Sequence, residues 1–206
     1  SKQVHVTING QCYTANSDQT ILKVAEENYI FIPRLCFLEG IHEEGNCRLC
    51  SVKVNGQKNL KPACRTHVEE GMNIITDDMD IYRSVSANLE LLSHKHRFEC
   101  FTCTREDNCE FLDLLKRYSI ENDLNHMYGL YDKPLYFSDS SGVMVIDSSK
   151  CVLCGRCVSA CEQLSGLSIL GFNGRGSDTY IGPALFHDLE DSGCIYCGKC
   201  IQACPT

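Results

Sequence analysis

Two cysteine runs near the C-terminus, Cys151-x2-Cys154-x2-Cys157-x3-Cys161 and Cys194-x2-Cys197-x2-Cys200-x3-Cys204-Pro205, restrict the fold of this chain more than anything else in it. Cysteines two residues apart are too close to staple distant segments. The chain has 16 cysteines in 206 residues, with neither the export signal nor the small size of a disulfide scaffold. They read as metal ligands, and the spacing selects the metal. Three cysteines at two-residue intervals wrap one loop around an iron–sulfur cube, and the fourth, three residues on, begins a helix aimed at a second cube. The ligand sets therefore cross: Cys151, Cys154, Cys157 and Cys204 for one 4Fe-4S cluster, Cys194, Cys197, Cys200 and Cys161 for the other. Tetrahedral zinc asks for discrete four-ligand sets, which two tight runs do not suggest. Gly155 and Gly198 let the backbone approach the sulfurs, so that N–H groups can stabilise their charge. Glu162 follows Cys161 where Pro205 follows Cys204, a change that moves no ligand.

The N-terminal half supplies Cys36-x10-Cys47-x2-Cys50-x13-Cys64. Plant-type ferredoxins use a four-residue first gap, then two, then a distant cysteine; here the first gap is longer and contains Gly40 and Gly45. Spacing alone leaves a structural zinc site as the alternative to a 2Fe-2S cluster. The surroundings favour the cluster. Val4, Val6 and Ile8 alternate up to Asn9-Gly10, and Gln11 to Thr14 continue beyond, the pattern of a two-residue hairpin. A helix is expected from about Asp18 with Ile21, Leu22 and Ala25 inward, then a strand over Ser51 to Val54 with an Asn55-Gly56 turn. Val68 to Thr76 should close the sheet. That order is the one of a β-grasp ferredoxin.

Between these blocks stand His94, His96, Cys100, Cys103 and Cys109. Three thiolates leave one ligand short, and Cys12, on the early hairpin, reads as a small hydrophobe. A histidine completes a count of sixteen ligands for four clusters, with His94 and His96 both eligible. Both follow a helix expected from about Asp80, with Ile81, Val85, Leu89 and Leu92 inward, and Phe111, Leu112, Leu115 and Tyr118 mark another after Cys109.

The phrases Ile32-Pro33-Arg34-Leu35-Cys36, Gly45-Asn46-Cys47-Arg48-Leu49-Cys50-Ser51-Val52, His96-x3-Cys100, Cys109-Glu110-Phe111-Leu112 and Cys151-Val152-Leu153-Cys154-Gly155-Arg156-Cys157 are similar to the N-terminal electron-transfer region of clostridial-type di-iron hydrogenases. The large iron–sulfur subunit of complex I, NAD-linked hydrogenase diaphorase subunits and NAD-dependent formate dehydrogenases are related. The resemblance implies His96 as the ligand, through a ring nitrogen, beside Cys100, Cys103 and Cys109. It implies an α+β chain: a plant-type 2Fe-2S domain over residues 1–78, a His-ligated 4Fe-4S domain over 79–121, a linker over 122–141 and a two-cluster ferredoxin domain over 142–206. One 2Fe-2S and three 4Fe-4S clusters are then expected. The expected partners are flavin/NAD(P)H-binding subunits, catalytic hydrogenase or formate dehydrogenase subunits, and soluble ferredoxin. The chain offers no further cysteine set for a catalytic metal, so it reads as an electron-transfer subunit or as the front portion of a longer catalytic polypeptide.

Charge and hydropathy exclude other classes. Nineteen Lys and Arg against 27 Asp and Glu give −8, the wrong sign for a nucleic-acid grip. No apolar run approaches the ~18 residues of a membrane span, and Ser1-Lys2-Gln3-Val4-His5 does not open a signal peptide. Thiolate clusters would take the holo protein to about −15 and imply the reducing cytoplasm of an anaerobe or facultative anaerobe. Asn173-Gly174-Arg175-Gly176 lacks the G-x-G-x-x-G order of a phosphate loop and reads as a hairpin tip between Ile169–Phe172 and Thr179–Ile181. Phe101, Tyr180 and Tyr196, close to ligands, are expected to keep water from the clusters.

Overall fold

Val4, Val6 and Ile8 alternate with more polar residues, and in the computed structural model they form the buried face of β1 (Gln3–Ile8). The structure describes residues 2–94, 96–120, 136–138, 142, 144–186 and 188–206. It comprises two compact units, Ser1–Phe37 with Glu43–Glu90 and Leu38–His42 with Leu91–Thr206.

In the first unit β1 turns through Asn9 and Gly10, at φ 51° and 83°, into β2 (Gln11–Asn16). Two consecutive positive φ angles give the twist that a two-residue hairpin needs. β3 (Ser51–Val54), β4 (Lys61–Pro62) and β5 (Asn73–Ile75) complete a five-stranded sheet of order β2-β1-β5-β3-β4. β5 runs parallel to β1, with Ile8 opposite Ile74, and the other pairs are antiparallel. Pro62 lies on the edge strand, where its missing N–H breaks no ladder. α1 (Ile21–Glu27) lays Ile21, Leu22, Val24 and Ala25 on the core formed by Val6, Ile8, Val52 and Ile74. It starts about three residues later than the expected Asp18. Ser17 and Asp18 form a turn closed by the Gln19 N–H on the Asn16 carbonyl, Gln19 accepts the Val68 N–H and Ile21 donates to Thr66, so Thr20 becomes the N-cap, its hydroxyl accepting the Lys23 N–H.

α2 (Met79–Ser93) begins beside Asp78, whose carboxylate accepts the Ile81 N–H at 2.8 Å and pairs with Lys53. Ile81, Val85 and Leu89 are buried as expected; Leu92 is half-buried. The second unit contains α3 (Glu110–Arg117), whose inward face is Phe111, Leu112, Leu114 and Leu115. β6 (Tyr136–Ser138) pairs antiparallel with β7 (Val145–Asp147). The sequence reads residues 142–147 as a strand, and β7 is its end; of the expected linker, only β6 lies within the described residues. α4 (Arg156–Ser165), a hairpin of β8 (Gly171–Asn173) and β9 (Tyr180–Gly182), and α5 (Lys199–Ala203) follow. Met144, Leu170, Tyr180, Ile181 and Leu189 make a small core, against which Cys151, Cys157, Cys161, Cys194 and Cys200 pack directly. Among the described residues no helix is long and apolar enough to cross a membrane.

Candidate metal centres

In the first unit Cys36, Cys47, Cys50 and Cys64 are all buried, and their sulfurs fall into two pairs. The Cys47 N–H donates to Cys36 Sγ at 3.4 Å, and Cys50 Sγ lies 3.3 Å from Cys64 Sγ. Each pair shares a proton unequally. The hydrogen bond from Cys36 pulls the Cys47 thiol down to about 6, while the same bond and then burial push Cys36 up. Cys50 is lowered by its hydrogen bond with Cys64, and Cys64 is raised by that bond and by burial. Gly45, at φ 69°, lets the loop close over this site: a Cβ there would stand 3.1 Å from Arg65 Cγ and 3.6 Å from Cys64 Sγ.

His96 lies just beyond α2, its N–H donating to the Ser93 carbonyl. Its Nδ1 is 2.9 Å from the Lys150 carbonyl, which makes Nδ1 the protonated nitrogen and leaves the Nε2 lone pair for a metal. The rings of Phe98 and Phe111 flank it at 4.8 and 5.4 Å between centroids, and burial pushes the imidazole down to about 4, so it is neutral, as a ligand must be. His94, the alternative, is exposed. Cys100 heads a 3-10 turn, and Cys109 is the N-cap of α3, its sulfur accepting the Leu112 N–H at 3.4 Å. Burial first, then the nearby thiols, raise Cys100 and Cys109.

The two C-terminal runs interleave. Cys154 is raised to about 12 by burial foremost, with Cys204 and Cys151 among the thiols acting on it. Cys157, also raised chiefly by burial, stands near Cys204 and near Cys200 of the other run. Cys200 is raised by burial and by Cys161 and Cys194. Cys204 thus stands with the first run and Cys161 with the second. A cavity of about 480 Å³ is lined by His96, Cys100, Cys103, Cys109, Cys151, Cys157, Cys200 and Cys204, and a smaller cleft by Cys161, Cys194, Cys197 and Cys200. Among the described residues no three His, Cys, Asp or Glu side chains close on the position of a single ion.

Gly155 and Gly198, at φ 84° and 72°, cap α4 and α5. The three aromatics expected to exclude water differ: Tyr180 is buried at 6 % exposed, Tyr196 is partly covered at 41 %, and Phe101 is 95 % exposed.

Sequence reasoning missed the polar residues that brace these sites. Arg156 Nη1 and Nη2 donate to the two Glu110 carboxylate oxygens at 2.6 and 2.9 Å, Arg105 Nη2 donates to the Cys204 carbonyl at 2.9 Å, and Lys150 Nζ donates to the Arg97 carbonyl. Buried His42 has Nδ1 2.7 Å from Ser159 Oγ. Only the position of Arg156 inside a ligand run was a signal. Three buried side-chain polar atoms find no partner among the described residues, and two of them are guanidinium donors in cysteine-rich segments, Arg105 Nε and Arg156 Nε.

Residues 1–79 match the 2Fe-2S iron-sulfur cluster binding domain and residues 143–205 the 4Fe-4S dicluster domain, which makes this an iron–sulfur protein of mixed α+β fold. The chain is 36 % identical over 178 residues to iron hydrogenase 1 of Clostridium pasteurianum, a match covering 86 % of this chain and 30 % of that protein. It is 30 % identical over 180 residues to the gamma subunit of the NAD-reducing hydrogenase HoxS of Cupriavidus necator, covering 86 % of this chain and 74 % of that polypeptide. The chain belongs to the same family as that polypeptide. Its fold is that of a chain in the NAD+-reducing NiFe-hydrogenase in the H2-reduced state, with TM-score 0.79 at 24 % identity over 92 % of this chain and 79 % of that one. It spans 30 % of iron hydrogenase 1 and 32 % of HndD, a component of the NADP-reducing hydrogenase of Solidesulfovibrio fructosivorans.

Proposed function

We propose that this chain is an electron-transfer subunit or module of a multi-subunit NAD(P)H- or ferredoxin-linked oxidoreductase of the hydrogenase or formate dehydrogenase type. It carries one 2Fe-2S and three 4Fe-4S clusters. The observation that carries this reading is the way the motif cysteines come together: Cys36, Cys47, Cys50 and Cys64 lie buried in the first unit, and in the second Cys100, Cys103, Cys109, Cys151, Cys157, Cys200 and Cys204 line one cavity, with Cys204 acting on Cys154 and Cys161 on Cys200. The mixed sheet with one helix laid on it supports a plant-type β-grasp domain over residues 1–78. There Cys36 and Cys47 would hold one iron, Cys50 and Cys64 the other. Paired thiols suit a dinuclear centre better than a zinc ion, which draws four sulfurs to one point. Residues 79–121 would hold a 4Fe-4S cluster through His96 Nε2, Cys100, Cys103 and Cys109. Residues 142–206, after a linker over 122–141, would hold the other two.

The residues fit such groups on chemistry as well as number. The donors are thiols and one neutral imidazole, and the unpartnered Arg105 and Arg156 N–H groups are donors beside sites where a sulfide-rich core supplies acceptors. When bound, the clusters supply one-electron exchange with little change in bonding. The chain's own residues bury the ligands, set the His96 tautomer through Lys150 and balance charge. Flavin/NAD(P)H-binding or catalytic subunits, with soluble ferredoxin, are the proposed partners, and the reducing cytoplasm the proposed compartment.

A second reading is the front part of a di-iron hydrogenase or formate dehydrogenase catalytic polypeptide. It is favoured by the relatives of which this chain covers a third or less. Metal analysis and paramagnetic resonance of the anaerobically prepared chain test the shared claim. About 14 iron atoms per chain, no stoichiometric zinc and four distinct reduced centres are expected. A colourless, zinc-loaded protein refutes it.

A further inference from the structure

Arg156 is placed where a cation has little reason to be. It is the first residue of α4, at the positive end of the helix dipole, and its side chain is only 5 % exposed. Burying a guanidinium is costly unless fixed anions compensate it. Glu110 supplies one, gripping both terminal nitrogens at 2.6 and 2.9 Å, but that carboxylate is itself 49 % exposed and therefore partly screened by water. The other negative charge available to Arg156 is sulfur. Its backbone N–H donates to Cys154, and its side-chain charge acts on the same thiol. Glu110, for its part, directly follows Cys109 and opens α3. One bidentate ion pair thus joins the residue after the last thiol of the His96 site to the residue between Cys154 and Cys157.

We infer that the Arg156–Glu110 pair is the charge-setting brace of the two neighbouring metal centres, Arg156 holding their reduction potentials up and Glu110 moderating it. Arg156 is a positioning residue that touches the ligand loop, and the two side chains act on the centres with opposite sign. The inference rests on the iron–sulfur reading, and its test separates the two.

The test is a redox titration, followed by paramagnetic resonance, of the full chain carrying Arg156→Gln, Arg156→Lys or Glu110→Gln, each checked for iron content. Arg156→Gln should shift the His96 centre and the Cys151/Cys154/Cys157/Cys204 centre to lower potential. Glu110→Gln should shift both upward, and Arg156→Lys, which keeps the charge and loses the fork, should stay near the parent. Should Arg156→Gln lose iron, Glu110→Gln decides alone: an upward shift supports the inference and an unmoved potential overturns it. Shifts of the same sign in the Gln variants, or a Lys variant that falls with Arg156→Gln, also overturn it, because a purely structural brace has no reason to obey the sign of the removed charge. A parent chain without iron or reduced signals defeats the iron–sulfur reading itself.

Discussion

The Lys150 carbonyl, 2.9 Å from His96 Nδ1, decides which ring nitrogen carries the proton, and Phe98 and Phe111 decide where the ring lies. With the imidazole held down to about 4 by burial, His96 is neutral through the physiological range. A histidine whose protonation couples electron transfer to neutral pH, an expectation its residue type invites, is therefore not what this environment provides. In the proposed His96 centre, a neutral ligand in place of a thiolate would leave the bound cluster one charge less negative. His96→Cys should accordingly lower that centre's midpoint potential, by on the order of a hundred millivolts given the larger gap between two-His and all-Cys centres. Redox-titrated paramagnetic resonance reads it, and an unchanged potential would show that the ligand exchange is compensated elsewhere.

At the scale of elements, the parts legible in the sequence are those whose causes are local. Asn9-Gly10 and Asn55-Gly56 both turn at positive φ, β1 buries Val4, Val6 and Ile8, and α2 and α3 bury most of the residues their periodicities select, Leu92 and Tyr118 being half-buried. What was not legible depends on partners far along the chain. The start of α1 is set by Thr66 and Val68, and the seat of Arg156 by Glu110, 46 positions away. The two capping glycines show the same division. Both need a left-handed backbone, which their place in the cysteine runs suggests, but only the structure shows that a Cβ on Gly155 would lie 2.9 Å from His42 Cε1 while one on Gly198 meets nothing. Gly198→Ala should cost roughly 1–2 kcal/mol of backbone strain, and Gly155→Ala about twice that, because buried His42 must also move. Chemical denaturation of the iron-loaded chain measures the difference; equal losses would remove His42 from the account.

At the scale of the whole molecule, the two units differ in what holds them together. The first has seventeen buried residues in one apolar cluster; the cluster that backs the two C-terminal cysteine runs of the second has five, with cysteines packed against it. Apolar burial alone can sustain the former far better than the latter. Chelating the iron should therefore leave amide protection in β1, β5 and α1 and abolish it in α4, α5 and the β8–β9 hairpin. Hydrogen exchange on the apo chain reads this directly, and retained protection in α4 would mean that the small core suffices.

The proposed exchange of Cys161 and Cys204 between the two C-terminal runs bears on biogenesis as well as on electron transfer. If each cube needs a sulfur from the other's segment, neither can be finished while the other's strap is missing, and a half-built domain has no stable resting form. Loading would then be all-or-nothing, and a cell starved of iron would accumulate chains with both cubes or with neither.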